Sequence, residues 1–246
     1  MGQSEFLRRA SGRLKKFGTT RMRRTGGREG IAFHFSLALV LLFMAAVSPG
    51  SGAEEALFLP ARQERKIEKG VFLIADLRLI DPNFSKTVVL ITRHGPGGSL
   101  GVVINRPTKI SLSRAFPTMK NFENRSEALF IGGPVQREVM IPLLRTETPP
   151  ESAFPIFEKV YLVPQIRMLA ELLTRGDAED RFRIYSGYAG WAPGQLQSEI
   201  DRGDWRILPG EADLLFRDET GPIWEELLRR SSQQSVQRER RPGRPS

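Results

Sequence analysis

Two apolar runs rich in β-branched residues, Thr87-Val88-Val89-Leu90-Ile91-Thr92 and Leu100-Gly101-Val102-Val103-Ile104, are joined by only seven residues, Arg93-His94-Gly95-Pro96-Gly97-Gly98-Ser99. Parallel strands need a crossover of roughly a dozen residues or more, so these runs must pair antiparallel, as a hairpin with a loop somewhat longer than the two-residue type. The same constraint decides how the glycines read. A loop that cradles phosphate leads from a strand into a helix N-terminus, whereas this one leads from strand to strand, which argues against a nucleotide loop.

Further strand signals follow at residues 71–75, 128–131, 139–144, 159–163, 181–185 and 205–208. Gly132-Gly133-Pro134-Val135 is a turn signal, and residues 145–157, with three prolines and alternating charge, read as a mobile surface loop. Residues 111–119 hold one or two helical turns before Pro117. Pro164 opens a firmer helix, with Ile166, Leu169, Leu172 and Leu173 on one face and Arg167, Glu171 and Arg175 on the other. Residues 195–202 suit a short helix, and Ile223, Trp224, Leu227 and Leu228 give a last amphipathic one that closes the core.

The chain carries a net charge of +9, and its ends hold the positive charge. Residues 1–30 contain nine Lys or Arg against two Glu, residues 229–246 six Arg against one Glu, and residues 31–228 are therefore net negative. Nucleic acid is an unlikely partner for such a folded domain, although Arg-rich tails keep that reading open for the ends. Residues 31–47 form an apolar run after Arg21, Arg23, Arg24 and Arg28, followed by small residues through Ala53. That is the build of a secretory signal or membrane anchor, placing the domain in the periplasm or on the inner membrane, unless translation starts at Met44 and the protein stays cytosolic. Without cysteine there is no disulfide, thiolate metal site or Cys nucleophile. The expected organisation is a basic region at 1–30, a signal or anchor at 31–53, a linker at 54–65, one domain at 66–229 and an unfolded Arg-rich tail at 230–246.

Glycines and large aromatics alternate most densely in residues 187–205, which reads as a site. Tyr188 and Trp191 offer stacking surfaces against a ligand or packing surfaces for the sheet. Gln195 and Glu199 share one helical face directly after the glycines, suited to a polar ligand or to a local network. Asn105-Arg106 leaves the end of a buried strand, and the Arg106 fork matches a carboxylate or phosphate, or a structural salt bridge. Asp81, before Pro82, reads as a turn former or a general acid or base. His94 is the one histidine outside the apolar segment, so a transition-metal site is not expected. No Gly-x-Ser-x-Gly elbow occurs.

Four motifs in order, Asp81-Pro82-Asn83-Phe84 with Thr87-Val88-Val89-Leu90, then His94, Gly101 and Asn105-Arg106-Pro107-Thr108, then Gly132-Gly133-Pro134-Val135, then residues 187–199 with Trp205, resemble the bacterial YqgE/AlgH family. The resemblance implies an α+β domain with a bent, mostly antiparallel or mixed sheet and packed helices. Members are largely uncharacterised, some are called transcriptional regulators in connection with alginate production, and they are generally taken to be cytosolic. This sequence departs from the pattern at Asp76-Leu77, at Ser99 and in its signal-like extension. The resulting expectation is a single α+β domain in which Asn105, Arg106, Gly132, Gly133, Tyr188, Trp191, Gln195 and Glu199 surround one shallow polar pocket. It binds a polar ligand or a protein partner without catalysis, metal or cofactor. The competing expectations are acid–base hydrolysis by Asp81, Glu199 and His94, and nucleic-acid binding by the tails.

Overall fold

The computed structural model describes residues 66–174 and 180–239, with side chains through residue 234. The expectations for residues 1–30, 31–53, 54–65 and 240–246 lie outside the described residues. Among the described residues, ten strands form one sheet. They are β1 Val71–Ala75, β2 Val88–Gly95, β3 Gly98–Val103, β4 Pro107–Ser111, β5 Ala128–Ile131, β6 Val135–Arg145, β7 Phe154–Phe157, β8 Val160–Leu162, β9 Arg181–Trp191 and β10 Trp205–Pro209. The helices are α1 Leu112–Ala115, α2 Ile166–Leu172, α3 Gln195–Asp201, α4 Ala212–Leu215 and α5 Ile223–Glu239, with a 3₁₀ turn at Lys120–Phe122. The strand order is β10-β1-β2-β3-β9-β6-β8-β7, with β4 on β5 and β5 on β9, and every pairing is antiparallel except β5–β9. The fold is the α+β domain with a largely antiparallel sheet.

Strict alternation along β1, β2 and β3 sorts side chains between two cores, because successive residues of a strand point to opposite faces. Phe72, Ile74, Val88, Leu90 and Val102 enter an inner core with Leu143 and Tyr185, and α5 seals it with Ile223, Trp224 and Leu227. Each of those three helix side chains is worth about 2 kcal/mol of burial, and the Trp224 indole also donates to the Ala75 carbonyl at 2.8 Å. Leu73, Val89, Ile91 and Val103 face outward under α3, where Leu196, Trp191 and Trp205 cover them. A third cluster packs Leu144 and Ile184 of β6 and β9 beneath α1 and α2.

The sheet curls until the two ends of the strand order lie close together. Edge strand β7 comes back beside the residues that lead into β1: Lys69 Nζ donates to the Pro155 carbonyl at 2.6 Å, and the Phe72 and Phe157 rings meet edge-on at 6.4 Å. A Cβ on Gly70 would stand 2.8 Å from Phe157 Cβ. Curling of this kind protects an edge that would otherwise offer unpaired backbone groups.

Several local expectations change. The hairpin is antiparallel as its spacing demands, but its strands run on to a Gly95↔Gly98 pair, leaving a two-residue tip. The proline-rich stretch 145–157 contains β7, and Pro155 is tolerated there because the strand lies at an edge. Residues 187–191 do not bend away after Tyr185; they continue β9, the central strand, which pairs with β5 before Gly187, with β6 on both sides of it and with β3 from Ala189 to Trp191. The last helix passes residue 229, and Arg206 reaches it through Ser232 Oγ at 2.7 Å, so the start of the expected tail is helical and anchored. No helix among the described residues is long and apolar enough to cross a membrane.

Candidate functional site

The sequence-predicted residues fall into separate structural sets. At the glycines, the chain leaving β5 crosses β9 at backbone contact distance: a Cβ on Gly132 would stand 2.3 Å from the Gly187 carbonyl oxygen, and one on Gly133 2.1 Å from the Tyr188 carbonyl carbon. Only glycine fits such a crossing, and Gly187 itself has φ +73°, open to glycine without strain. Their role is close approach of main chain to main chain.

Glu199 is the hub of a second set. One carboxylate oxygen accepts from the indole N–H groups of both Trp191 and Trp205, each at 2.8 Å, and the other from Gln195 Nε2 at 2.9 Å. Gln195 Oε1 accepts in turn from the Ala192 N–H at 3.0 Å. The i,i+4 spacing read from the sequence thus pins α3 to the end of β9 and the start of β10. Phe84 closes the group, stacked on Trp191 at 6.1 Å and edge-on to Trp205 at 5.6 Å.

A third set holds residues 81–88. Asp81 Oδ1 accepts from the Asn83 N–H at 2.8 Å, making a local turn. Arg106 donates to the carbonyls of Asn83 at 2.7 Å and Ser85 at 3.2 Å, so its fork is occupied by main chain. Burial and the nearby Arg137 pull the Arg106 guanidinium pKa down, and Asp81 opposes them. Asn105 accepts from the Val88 N–H at 3.0 Å and donates to the Lys86 carbonyl at 2.9 Å. His94 lies elsewhere, bonded through Nδ1 to Ser99 Oγ across the hairpin at 2.8 Å. No hydrogen bond or ion pair joins any two of Asp81, His94 and Glu199. Among the described residues no group of three or more His, Cys, Asp or Glu could hold a metal ion.

A concavity lies on the inner face of the curled sheet, beside the inner core. It is a cleft of about 240 Å³ walled by Leu100, Ile141, Ile156, Leu162, Phe154 and Tyr188, with Lys69, Thr92, Arg93 and Pro155 completing it. Of the residues expected at the site, only Tyr188 lines it. Such mouths of curled sheets are favoured ligand seats.

Arg93 reaches this face because of a bulge. Register runs Leu90↔Val102 and Ile91↔Gly101, then jumps to Arg93↔Leu100, leaving Thr92 as the extra residue. By strict alternation Arg93 would stand with Val89 and Ile91 on the outer face; the inserted residue turns it inward beside Leu100. Its Nε and Nη2 are shielded from solvent, and no protein group bonds either of them. No carboxylate is among the lining residues. A buried polar group without a partner costs about 1–3 kcal/mol, and more when it is charged. The cleft therefore has a largely apolar wall with the Arg93 side chain at its margin, the Nε and Nη2 groups being packed out of reach of solvent.

The sequence model of the DUF179 family, described as AlgH-like, matches residues 72–235. The chain belongs to the AlgH-like family. It is similar to UPF0301 proteins of Mycobacterium tuberculosis, 33% identical over 183 residues that cover 70% of this chain and 85% of the relative, and of Mycobacterium leprae, 32% identical over 173 residues with the same coverage. Two solved structures share the fold. The crystal structure of DIP2367 from Corynebacterium diphtheriae aligns with a TM-score of 0.60 at 22% identity, covering 69% of this chain and 90% of that one. The solution structure of the AlgH protein from Pseudomonas aeruginosa aligns with a TM-score of 0.56 at 24% identity, covering 74% and 100%.

The AlgH-like motifs are thus the residues that hold the sheet together, whereas the cleft is built largely from positions with no motif. Arg93 carried one sequence signal: a cation placed directly after an apolar strand, in a hairpin whose register is open to a bulge.

Proposed function

We propose that this AlgH-like domain is a ligand-binding regulatory module whose seat is the inner-face cleft around Arg93. The observation that carries this reading is an apolar cleft on the inner face of the sheet with Arg93 at its margin, a cation with two N–H groups that no protein group bonds. Binding is favoured over acid–base hydrolysis because Asp81, Glu199 and His94 are each committed to separate local bonds. One wall of the cleft belongs to the edge strand β7, so a bound ligand bears directly on the contact by which that strand meets Lys69 and the residues leading into β1.

The test is a protein-detected NMR screen of the full chain with a fragment set that includes acids, amines and neutral amides. The expected result is shifts concentrated at Thr92, Leu100, Ile141 and Tyr188, abolished in a folded Leu162→Trp variant that fills the cleft. Shifts clustered elsewhere, or surviving in the filled variant, refute the reading. On the same proposal, residues 31–47 carry the domain to the inner membrane or across it. Mass spectrometry of the native N-terminus in fractionated cells checks this, and a cytoplasmic chain starting at Met44 refutes it.

A further inference from the structure

Resting on the cleft as the ligand seat, we infer that its resident occupant is the chain's own segment Glu54-Glu55-Ala56-Leu57-Phe58-Leu59-Pro60, a tethered plug that a ligand must displace. The cleft is an uncovered apolar face. Leu100, Ile141, Ile156, Leu162 and Tyr188 wall it, and Phe154 in the same wall is 38% exposed. A surface of this kind gains free energy when apolar side chains cover it.

The point where the described chain begins says what can cover it. That chain starts at Lys66, and Lys69 already lines the cleft, its Nζ bonded to the Pro155 carbonyl of β7 at 2.6 Å. Residues 54–60 lie outside the described residues, joined to Lys66 by Ala61 and the polar run Arg62-Gln63-Glu64-Arg65. Extended, that connection spans about 20 Å at ~3.3 Å per residue, enough to double back past Lys69 to the cleft. The segment supplies Leu57, Phe58 and Leu59 for the apolar wall. It also carries two acids and no base, whereas the cleft is bordered by the cations Lys69 and Arg93 and by no acid, so the charges are complementary.

The tether makes a weak contact sufficient. A short linker holds the segment at an effective concentration of about 1 mM, so an intrinsic affinity of roughly 0.1 mM keeps the cleft about nine-tenths covered. A ligand then binds roughly 10-fold more weakly than it would to the open cleft. Residues 54–60 follow both the apolar run 31–47 and Met44, so the plug is present in an exported and in a cytosolic chain alike.

The chain has no cysteine, so Ala61→Cys gives a single attachment point for a nitroxide beside the segment. In NMR spectra of the full chain the label is expected to broaden Leu100, Ile141, Phe154 and Leu162 more than Leu169 of the third cluster. Leu57→Ser combined with Phe58→Ser should abolish that broadening. The same double variant should bind acetyl-Glu-Glu-Ala-Leu-Phe-Leu-Pro-amide at least about 10-fold tighter than the unaltered chain does, and the cleft-filling Leu162→Trp variant should not bind it. Broadening centred on another face, or equal peptide affinity with and without the double substitution, overturns the plug. Broadening that grows with protein concentration also overturns it, in favour of a second copy of the chain. Fragments that seat in the cleft of the unaltered chain while the label leaves it sharp overturn the plug but keep the seat. Neither fragment shifts nor broadening in the cleft removes the seat itself.

Discussion

Replacing Glu199 by leucine separates a structural role for the motif from a ligand-binding one. Its two acceptor oxygens serve the N–H groups of Trp191 and Trp205, whose side chains are 2% and 3% exposed, and the amide of the exposed Gln195. The amide can turn to water, but the two indoles cannot. Each buried donor left unpaired costs about 1–3 kcal/mol, giving a span of about 2–6 kcal/mol. Glu199 is only half-buried, which admits some water and selects the lower half, about 3 kcal/mol. For a domain of this size that is a fall of about 6–12 °C in melting temperature. Glu199→Gln keeps one oxygen as acceptor and should cost about 1 kcal/mol. Urea unfolding followed by circular dichroism measures both, in a double-mutant cycle with Trp205→Phe, where the coupling should be about 1–2 kcal/mol. A loss below about 0.5 kcal/mol in Glu199→Leu with no coupling would refute the argument. It would mean that water serves the indoles and that the carboxylate is free for a ligand.

The two kinds of glycine should respond differently to alanine. Gly133→Ala drives a Cβ into the Tyr188 main chain and should cost more than about 4 kcal/mol, seen as loss of soluble folded protein. Gly194→Ala meets open space and bears only the strain of φ +76°, about 1–2 kcal/mol by thermal melt. Burial by itself would raise the Asp76 carboxyl, but bonds from Arg78 and Arg206 outweigh it and hold the pKa below the ordinary value. Its folded pKa is therefore the lower of the two states, so its contribution is present above about pH 4 and disappears as pH falls through the folded value. Asp76→Asn should cost about 1–2 kcal/mol at neutral pH and flatten the acid limb of a stability–pH curve; an unchanged limb counts against the pairing. Arg106→Ala, which frees the carbonyls of Asn83 and Ser85, should speed amide exchange through residues 83–88 while leaving β6 unaffected.

From the sequence alone, the class of the fold, most of its strands and its helices were legible, because these depend on local rules. Seven residues between two β-branched runs permit only a hairpin; period-two alternation marks half-buried strands; Gln195 and Glu199 one turn apart must share a helical face. The order of motifs was enough to point to the AlgH-like family. Which groups those residues bond was settled by the tertiary structure. Glu199 and Arg106 carry the chemistry of ligand contacts, but their partners are Trp205 and the Asn83 and Ser85 carbonyls, brought in by chain segments whose approach no local pattern specifies. Prolines hid β7, since its place at an edge depends on the whole strand order. Arg93 shows the division most clearly: its charge and its position after an apolar strand are written in the sequence, but one inserted residue in the register decides which face it occupies. That insertion is chosen by how β2 and β3 pair while the sheet curls around its core, a cooperative outcome of contacts far apart in the chain.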